Sequence, residues 1–476
     1  MTAITGAAVG SRNTSPSRWA VPLICTAQLM ATLDVTIVNL ALPAVNGDLR
    51  FSDAGLAWVI DAYTLAYAGL LLVGGRLGDG YGRRRILMAG VGLFTVASLV
   101  AGVAGSPAVL LAARAGQGVG AALATPTTLS LITTLYVGRD RARAMVAYGA
   151  MAGLGITLGL VLGGVLTEHG SWRWVFLVNV PIGVILLVAA PRVLPESRGP
   201  RRPQDVPGAI LATLGLGTLV FGVIRAGSHH WGERTSLAAL ALSAVSLGAF
   251  VAWERRRSEP LLPLTLLRNR VRFGAYLVAA LLFACLYPCF FILSQLLQQV
   301  QGLGPLAAGL RFLPIGIGVL AFAILARRLL ERVGARPLVL VGTIATAAAT
   351  LGLTRLDADS RYAILLLPCL IGLGAGVGTT FVANAALAMT DVPETDAGVG
   401  SGLLSTFQAV GGTIGVAGVA SLVASTTSRA LDGVAASSPA VQTQAVMDGF
   451  TSGFVAAAVL ATLAVGVAFA TAPRRR

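Results

Sequence analysis

Apolar residues gather along this chain in about fourteen runs, most of them near the roughly 20 residues a helix needs to cross the hydrocarbon core of a bilayer. Read as helices, the runs fall near residues 19–42, 55–75, 85–104, 107–130, 143–167, 173–190, 207–226, 235–253, 272–297, 305–328, 337–353, 361–381, 399–424 and 450–470. Lipid supplies no hydrogen bonds to bare backbone, so helices that close their own bonds are the economical way across, and the pattern predicts an all-α integral membrane protein. The polar stretch from Trp253 to Arg272, carrying Pro260 and Pro263, is the longest connection on its side and predicts a hinge between two halves.

A weak internal echo supports those halves. Arg114–Ala122 (RAGQGVGAA) and Ile371–Thr379 (IGLGAGVGT) each open a glycine-dense helix, about 260 residues apart, and each is followed by a helix with its own glycine series. The series are Gly153, Gly155, Gly159, Gly163 and Gly164 in one case, and Gly398, Gly400, Gly402, Gly411, Gly412 and Gly415 in the other. The repeat predicts a six-plus-six bundle with two extra spans inserted at its middle. The division is then a tail over 1–18, a first six-helix bundle over 19–190, a linker with two extra helices over 191–253, a connection over 254–271, a second six-helix bundle over 272–470 and a basic tail over 471–476.

Composition leaves no room for a large soluble domain, since 55% of the 476 residues are hydrophobic and 12% charged. The net charge of +15 is carried by arginine alone, for the chain has no lysine. Arginines cluster in alternate loops, at Arg83–Arg85, Arg139–Arg143, Arg198–Arg202, Arg255–Arg257, Arg327–Arg332 and Arg474–Arg476, which the positive-inside rule assigns to the cytoplasm together with both termini. Topology accounts for this charge better than nucleic acid does. The four cysteines, Cys25, Cys285, Cys289 and Cys369, lie within predicted spans as small packed side chains. No metal and no cofactor are expected, because His229 and His230 have no further histidine nearby and Cys285 and Cys289 lack additional ligands.

Ionisable residues inside spans are costly and therefore informative. Asp34, Asp61 and Arg114 sit roughly 12, 9 and 10 Å from the outer ends of the first, second and fourth spans, at the helical rise of 1.5 Å per residue. That shared depth predicts one buried cluster of all three, able to couple protonation to another event, with a static ion pair that only fixes packing as the plainer reading. Glu168, His169 and Arg173 fall in a short external turn and read as solvated.

The turn GGRLGDGYGRRR, Gly74–Arg85, is glycine-dense like a phosphate cradle but lacks both a lysine and a preceding strand. A tight loop between antiparallel helices fits better, with Gly78, Gly80 and Gly82 permitting close approach and Gly75, Gly78, Asp79, Gly82, Arg83 and Arg84 forming a latch. Gly155, Gly159, Gly163 and Gly164 have the small-xxx-small spacing that lets helix backbones touch.

These residues together resemble the fourteen-span drug:proton antiporters of the major facilitator superfamily, the group of multidrug, quaternary-ammonium and antibiotic exporters. The resemblance covers nearly the whole chain. Gly75–Arg84 is similar to the superfamily's loop between helices two and three, and Leu33–Pro43 (LDVTIVNLALP) to the first-helix motif of the fourteen-span group. Arg114, Gln117, Gly118 and Gly120 resemble the fourth-helix motif linked to proton transfer, and Trp172–Gly183 (WRWVFLVNVPIG) the start of helix six. Departures are Leu160, where the antiporter motif places proline after glycine, and Ser405, Thr406, Gln408 and Val319, where relatives carry arginine or carboxylates.

The resemblance implies proton-driven efflux of hydrophobic or amphiphilic drugs or antibiotics across the bacterial cytoplasmic membrane, without covalent chemistry, by a single copy whose partners are drug, protons and lipid. It assigns proton coupling to Asp34 and Arg114, and substrate or proton handling to Asp61, Tyr63, Tyr67, Gln117, Phe407 and Gln408. A nutrient importer or uniporter, and a membrane sensor that binds ligand without moving it, are the alternatives.

Overall fold

The structure is a computed structural model that describes residues 17–51, 53–197, 205–228, 231–257, 262–357, 360–393, 396–431 and 439–471. Arg198, Arg201, Arg202, His229, His230, Pro260, most of the N-terminal tail and the terminal arginines lie outside the described residues, as do the side chains of Gly153, Leu160 and His169. The described chain is helical throughout: α1 (Ala20–Leu49), α2 (Asp53–Tyr81), α3 (Arg83–Gly102), α4 (Pro107–Leu135), α5 (Gly138–His169), α6 (Arg173–Leu177), α7 (Asn179–Val193), α8 (Val206–Ser228), α9 (Arg234–Glu254), α10 (Thr265–Arg268), α11 (Arg270–Gln295), α12 (Pro305–Arg311), α13 (Leu313–Val333), α14 (Ala335–Leu353), α15 (Leu367–Ala388), α16 (Ala397–Leu431) and α17 (Pro439–Thr471). Thirteen stretches among the described residues are long and apolar enough to cross a membrane. Helix α5 is not one of the thirteen, yet its 32 residues run beside α1 and outreach a bilayer core.

Helix starts follow local chemistry. Ser106 caps α4 ahead of Pro107, and the Asn269 side chain accepts from the backbone N–H groups of Val271 and Arg272 at 2.9 and 3.3 Å to start α11. The two tight turns at α2–α3 and α13–α14 pass through Gly82 (φ 112°) and Gly334 (φ 83°), conformations that a side chain would strain.

The internal repeat is visible in packing. Helix α4 is wedged between α2 and α3, and α15 between α13 and α14, each through glycines. A Cβ on Gly118 would strike the Tyr63 carbonyl and one on Gly120 would lie 2.7 Å from the Phe94 nitrogen; on the other side Gly374 meets Gly318 and Gly376 meets Thr346. The glycine series that follow behave alike. Gly155, Gly159 and Gly163 seat α5 against Thr32, Thr36 and Ile37 of α1, while Gly411 and Gly415 seat α16 against Ala280 and Ala284 of α11. The Thr36 hydroxyl also donates to the Gly155 carbonyl at 3.3 Å. Gly164 is buried in the same helix.

Helices α1–α7 and α11–α17 thus form two similar halves, which meet through α2, α4 and α5 on one side and α12, α13 and α16 on the other. Contact is made at both ends of the seam. Ser401 Oγ donates to the Pro126 carbonyl at 3.0 Å near one end, and the Leu306 N–H to Glu168 Oε2 at 3.2 Å near the other. Glu168 is therefore not the purely solvated residue its turn suggested. The α8–α9 hairpin lies along the seam, with α8 packed on both α2 and α16.

The described residues on either side of 258–261, in the connection expected to act as a hinge, are hydrogen-bonded to the bundle. Glu254 accepts from the Leu262 N–H at 3.1 Å, Leu262 and Leu266 are buried, and Arg272 donates to the carbonyls of Leu266, Thr265, Thr390 and Asp391. Asp205 caps α8 at the Gly208 N–H and accepts from Trp253 Nε1 at 2.9 Å. Burial works against its charge, but those hydrogen bonds outweigh it and hold the carboxyl below the usual carboxylate range. At the face opposite the arginine-rich loops, arginines are paired locally: Arg173 with Asp48 at 2.6 Å, Arg225 with Glu233 at 2.7 Å and Arg311 with Gln301 at 2.7 Å. Bonds from Arg173 and Trp172 keep Asp48 below its ordinary range as well.

Replacing Gly159 by valine should force α5 away from Thr36 and the Leu33 carbonyl, 3.0 Å from the added Cβ, at a cost of roughly 1–3 kcal/mol. Thermal melting of the purified protein checks this: Gly466→Ala, with open space around its Cβ, should melt like the parent, and equal melting of both variants would refute the close α1–α5 contact.

Candidate functional site

The most demanding chemistry lies in the first half, in a region with no access to water. Asp34 of α1 is 0% exposed and Arg114 of α4 1% exposed, and Arg114 Nη1 donates to Asp34 Oδ2 at 2.5 Å. A pair desolvated this completely is held only if its remaining hydrogen-bonding capacity is met nearby. It is. Asp34 Oδ1 accepts from Gln117 Nε2 at 2.8 Å and from Asn179 Nδ2 at 3.0 Å. Arg114 also donates to Gln117 Oε1 at 2.9 Å and, through Nε, to the Val59 carbonyl at 2.8 Å. Gln117 Nε2 is shared with Ser98 Oγ at 2.8 Å. The guanidinium is sandwiched by rings, 4.6 Å from the centroid of Tyr63 and 5.9 Å from that of Phe176.

The pair and its partners come from six helices, Asp34 from α1, Val59 and Tyr63 from α2, Ser98 from α3, Arg114 and Gln117 from α4, Phe176 from α6 and Asn179 from α7, so the pair ties together almost the whole first half. Helix periodicity explains how α4 serves it: Arg114 and Gln117 are three residues apart and share a face. Asn179, Ser98 and Phe176 went unremarked as site residues in the sequence. Asn179 stands in the WRWVFLVNVPIG stretch, where an amide within an apolar helix was the available signal. Its Oδ1 is buried without a hydrogen-bond partner.

Asp61 does not join the cluster. It is half-buried and makes no hydrogen bond or ion pair among the described residues, although its depth along α2 matches the prediction. Helical phase is the reason. Val59 and Tyr63, one turn apart, face Arg114, and Asp61 midway between them is rotated about 200° from either. It shares the face of Trp58 and Gly69, which pack on Phe221 and Thr213 of α8, so Asp61 lies on the side of α2 turned to the inserted hairpin.

The remaining sequence candidates divide into three places. Tyr63 and Tyr67 stack with centroids 5.7 Å apart at the seam, where Tyr287 of α11 is within electrostatic reach of both. Phe407 is packed against Tyr276 and Phe273 of α11, centroids 5.5 and 6.3 Å apart, and acts in the core of the second half. Gln408 lines a small cleft between α11, α15 and α16 together with Asn384, whose Nδ2 donates to the Ala275 carbonyl at 2.9 Å. At the α2–α3 turn, Asp79 Oδ1 accepts from Arg83 Nε and Nη2 at 3.1 and 2.7 Å and faces Asp396, the residue before α16. Arg84 is not part of that pair; it donates to the carbonyls of Pro191 and Leu194 and its N–H to Glu196, holding the end of α7. Gly75 and Gly78 are buried in the last turns of α2, Gly78 against Thr127.

The family model of the Major Facilitator Superfamily matches residues 24–416. The chain is 39% identical to the puromycin resistance protein pur8 of Streptomyces alboniger, over 95% of this chain and 90% of that protein. It is 40% identical to the cephamycin export protein CmcT of Amycolatopsis lactamdurans, over 90% of each. Among solved structures, the human organic anion transporter MFSD10 has the same fold, with a TM-score of 0.66 over 96% of this chain and 100% of that one, at 16% identity.

Removing one member of the ion pair should destabilise more than removing both. Arg114→Met leaves the Asp34 carboxylate buried without its cation, a loss of roughly 3–5 kcal/mol, and the double variant Asp34→Leu/Arg114→Met should recover much of it. Melting of the purified single and double variants reads the difference; an additive double variant would mean that the two charges do not depend on each other.

Proposed function

The chain belongs to the major facilitator superfamily, and within it we propose a fourteen-span exporter, both termini cytoplasmic, that moves hydrophobic or amphiphilic antibiotics outward across the cytoplasmic membrane in exchange for protons. The antibiotic-resistance and export proteins it is similar to support the substrate class and the direction. The arginine-rich loops support the orientation. Proton exchange rests on one observation: a carboxylate that holds an arginine in a waterless interior through a network spanning five elements.

Protonating Asp34 removes the anion at which Arg114, Gln117 and Asn179 all point. Arg114 then keeps the Val59 carbonyl, Gln117 and two ring faces, so the guanidinium stays solvated by the protein while α1 loses its strongest tie to α4. Helix α1 is seated on α5 through Gly155, Gly159 and Gly163, and α5 in turn packs on α12 and α13 of the other half. A contiguous packed path therefore leads from the titrating carboxylate to the seam whose opening would expose substrate to one side. Tyr63, stacked between Arg114 and Tyr67, gives a second and shorter route to the same seam. Asp61, separate from the pair and turned to α8, is a second carboxylate for proton or cation handling. The Asp79–Arg83 pair, beside the start of α16 on the cytoplasmic side, is the conformational latch of this reading.

Asp34→Asn keeps the shape and most hydrogen bonds but cannot change charge. In vesicles with an imposed proton gradient it should abolish uphill puromycin export, by at least about 100-fold in rate, a barrier change of about 2.7 kcal/mol, while the protein remains in the membrane at parental amounts. Undiminished proton-driven export by this variant would remove Asp34 from the mechanism.

A further inference from the structure

Every side-chain hydrogen bond of Asp34 is one it accepts. Oδ2 takes the guanidinium of Arg114 at 2.5 Å, and Oδ1 takes the amide N–H groups of Gln117 and Asn179 at 2.8 and 3.0 Å. Arg114 and Tyr63 are the ionisable side chains that face it. This set suits a carboxylate. A carboxylic acid brings an O–H that calls for an acceptor, and for a group 0% exposed the candidates are the side chains already around it.

Oδ2 is the poorer place for a proton, because a cation already donates to it. On Oδ1 the two amides differ. Gln117 is fixed at both ends: Nε2 is shared with Ser98 Oγ at 2.8 Å and Oε1 accepts from Arg114 at 2.9 Å, so reversing this amide would turn its N–H against a guanidinium. Asn179, 0% exposed, is held at one end only; Nδ2 donates to Asp34, and Oδ1 is buried without a hydrogen-bond partner. The two ends of an amide are nearly the same size. A half-turn of Asn179 therefore needs no added room, replaces the N–H that faces Asp34 by a C=O, and leaves one amide end without a protein partner both before and after.

We propose that Asn179 is the positioning residue that accommodates the proton on Asp34: its amide reverses when Asp34 Oδ1 is protonated, and the new O–H donates to Asn179 Oδ1. This rests on the proton-exchange reading and supplies what that reading lacks, a neighbour that serves both protonation states. The only bond made on loading, and broken on release, is the O–H of Asp34. Because Asn179 opens α7, protonation exchanges the partners of α1: the tie to Arg114 of α4 weakens, while the tie to α7 persists with its direction reversed. Gly183, one helical turn further along α7, packs on Thr95 of α3, which keeps the start of α7 in place while the amide turns. Helix α1 is thus released from α4 and not from α7.

Infrared difference spectra, acid minus neutral, of the full-length protein in lipid vesicles test this. A carboxylic-acid C=O band that disappears in Asp34→Asn identifies protonated Asp34. With it should come a side-chain amide C=O band that moves to lower wavenumber as the oxygen takes up the new O–H, that shifts when the chain is made with asparagine isotopically labelled at this carbonyl, and that is lost in Asn179→Leu. In that variant the Asp34 band should also move to higher wavenumber, because its O–H has lost its acceptor. Asn384→Leu, which removes a second buried asparagine with an unmet Oδ1, should leave both bands as in the parent. A label that leaves the parent difference spectrum unchanged, or an Asp34 band at its parental position in Asn179→Leu, would overturn the assignment; the label on the parent decides alone where the variant does not fold. Proton-driven export is read separately: amide reversal without export defeats the exporter reading alone, export with a silent Asn179 band defeats this assignment alone, and the absence of any Asp34 band defeats both.

Discussion

A charge pair sealed from water inside an apolar bundle governs this structure. Asp34 and Arg114 can remain there only because Gln117, Asn179, Ser98, the Val59 carbonyl and two aromatic faces complete what water would otherwise supply. Those groups arrive from several helices, each of which must hold its residues at the right height and angle. The first half is consequently organised around the pair, and any event that neutralises Asp34 acts on several helices at once.

The second constraint is backbone proximity. In lipid there is no hydrophobic drive between helices, so close van der Waals contact decides which helices pair, and glycine is what permits it. The same arrangement occurs in both halves, with α4 and α15 wedged between their neighbours and α5 and α16 seated on α1 and α11. A fully buried carboxylate–arginine pair between two helices, however, occurs once among the described residues. Position 371, which opens the second glycine-dense segment as Arg114 opens the first, is isoleucine. The two halves therefore share a skeleton, while the buried carboxylate–arginine pair belongs to the first.

The seam is where these meet. Phe381 against Gly149, Ser401 against Pro126 and Leu306 against Glu168 connect the halves along its length. The inserted hairpin joins this boundary through α8, so its contacts with α2 and α16 would change whenever the seam opens. Asp61 on that face of α2 places a carboxylate beside this boundary.

Spans, repeat, glycine contacts and the depth of the buried charges were legible from residue order, because hydropathy, spacing and a rise of about 1.5 Å per residue act along one helix at a time. Pairing Asp34 with Arg114 followed from the same reasoning. Excluding Asp61 did not: its depth is right, but which way it faces depends on the rotation of α2 against α4 and α8, and no single helix encodes that. Asn179 and Asn384 were hidden for a related reason, since an amide in an apolar run looks alike whether or not its partners are present. The sequence by itself determined how far each group lies into the membrane; the tertiary structure alone decided which groups face each other, because azimuth around a helix is set by its neighbours.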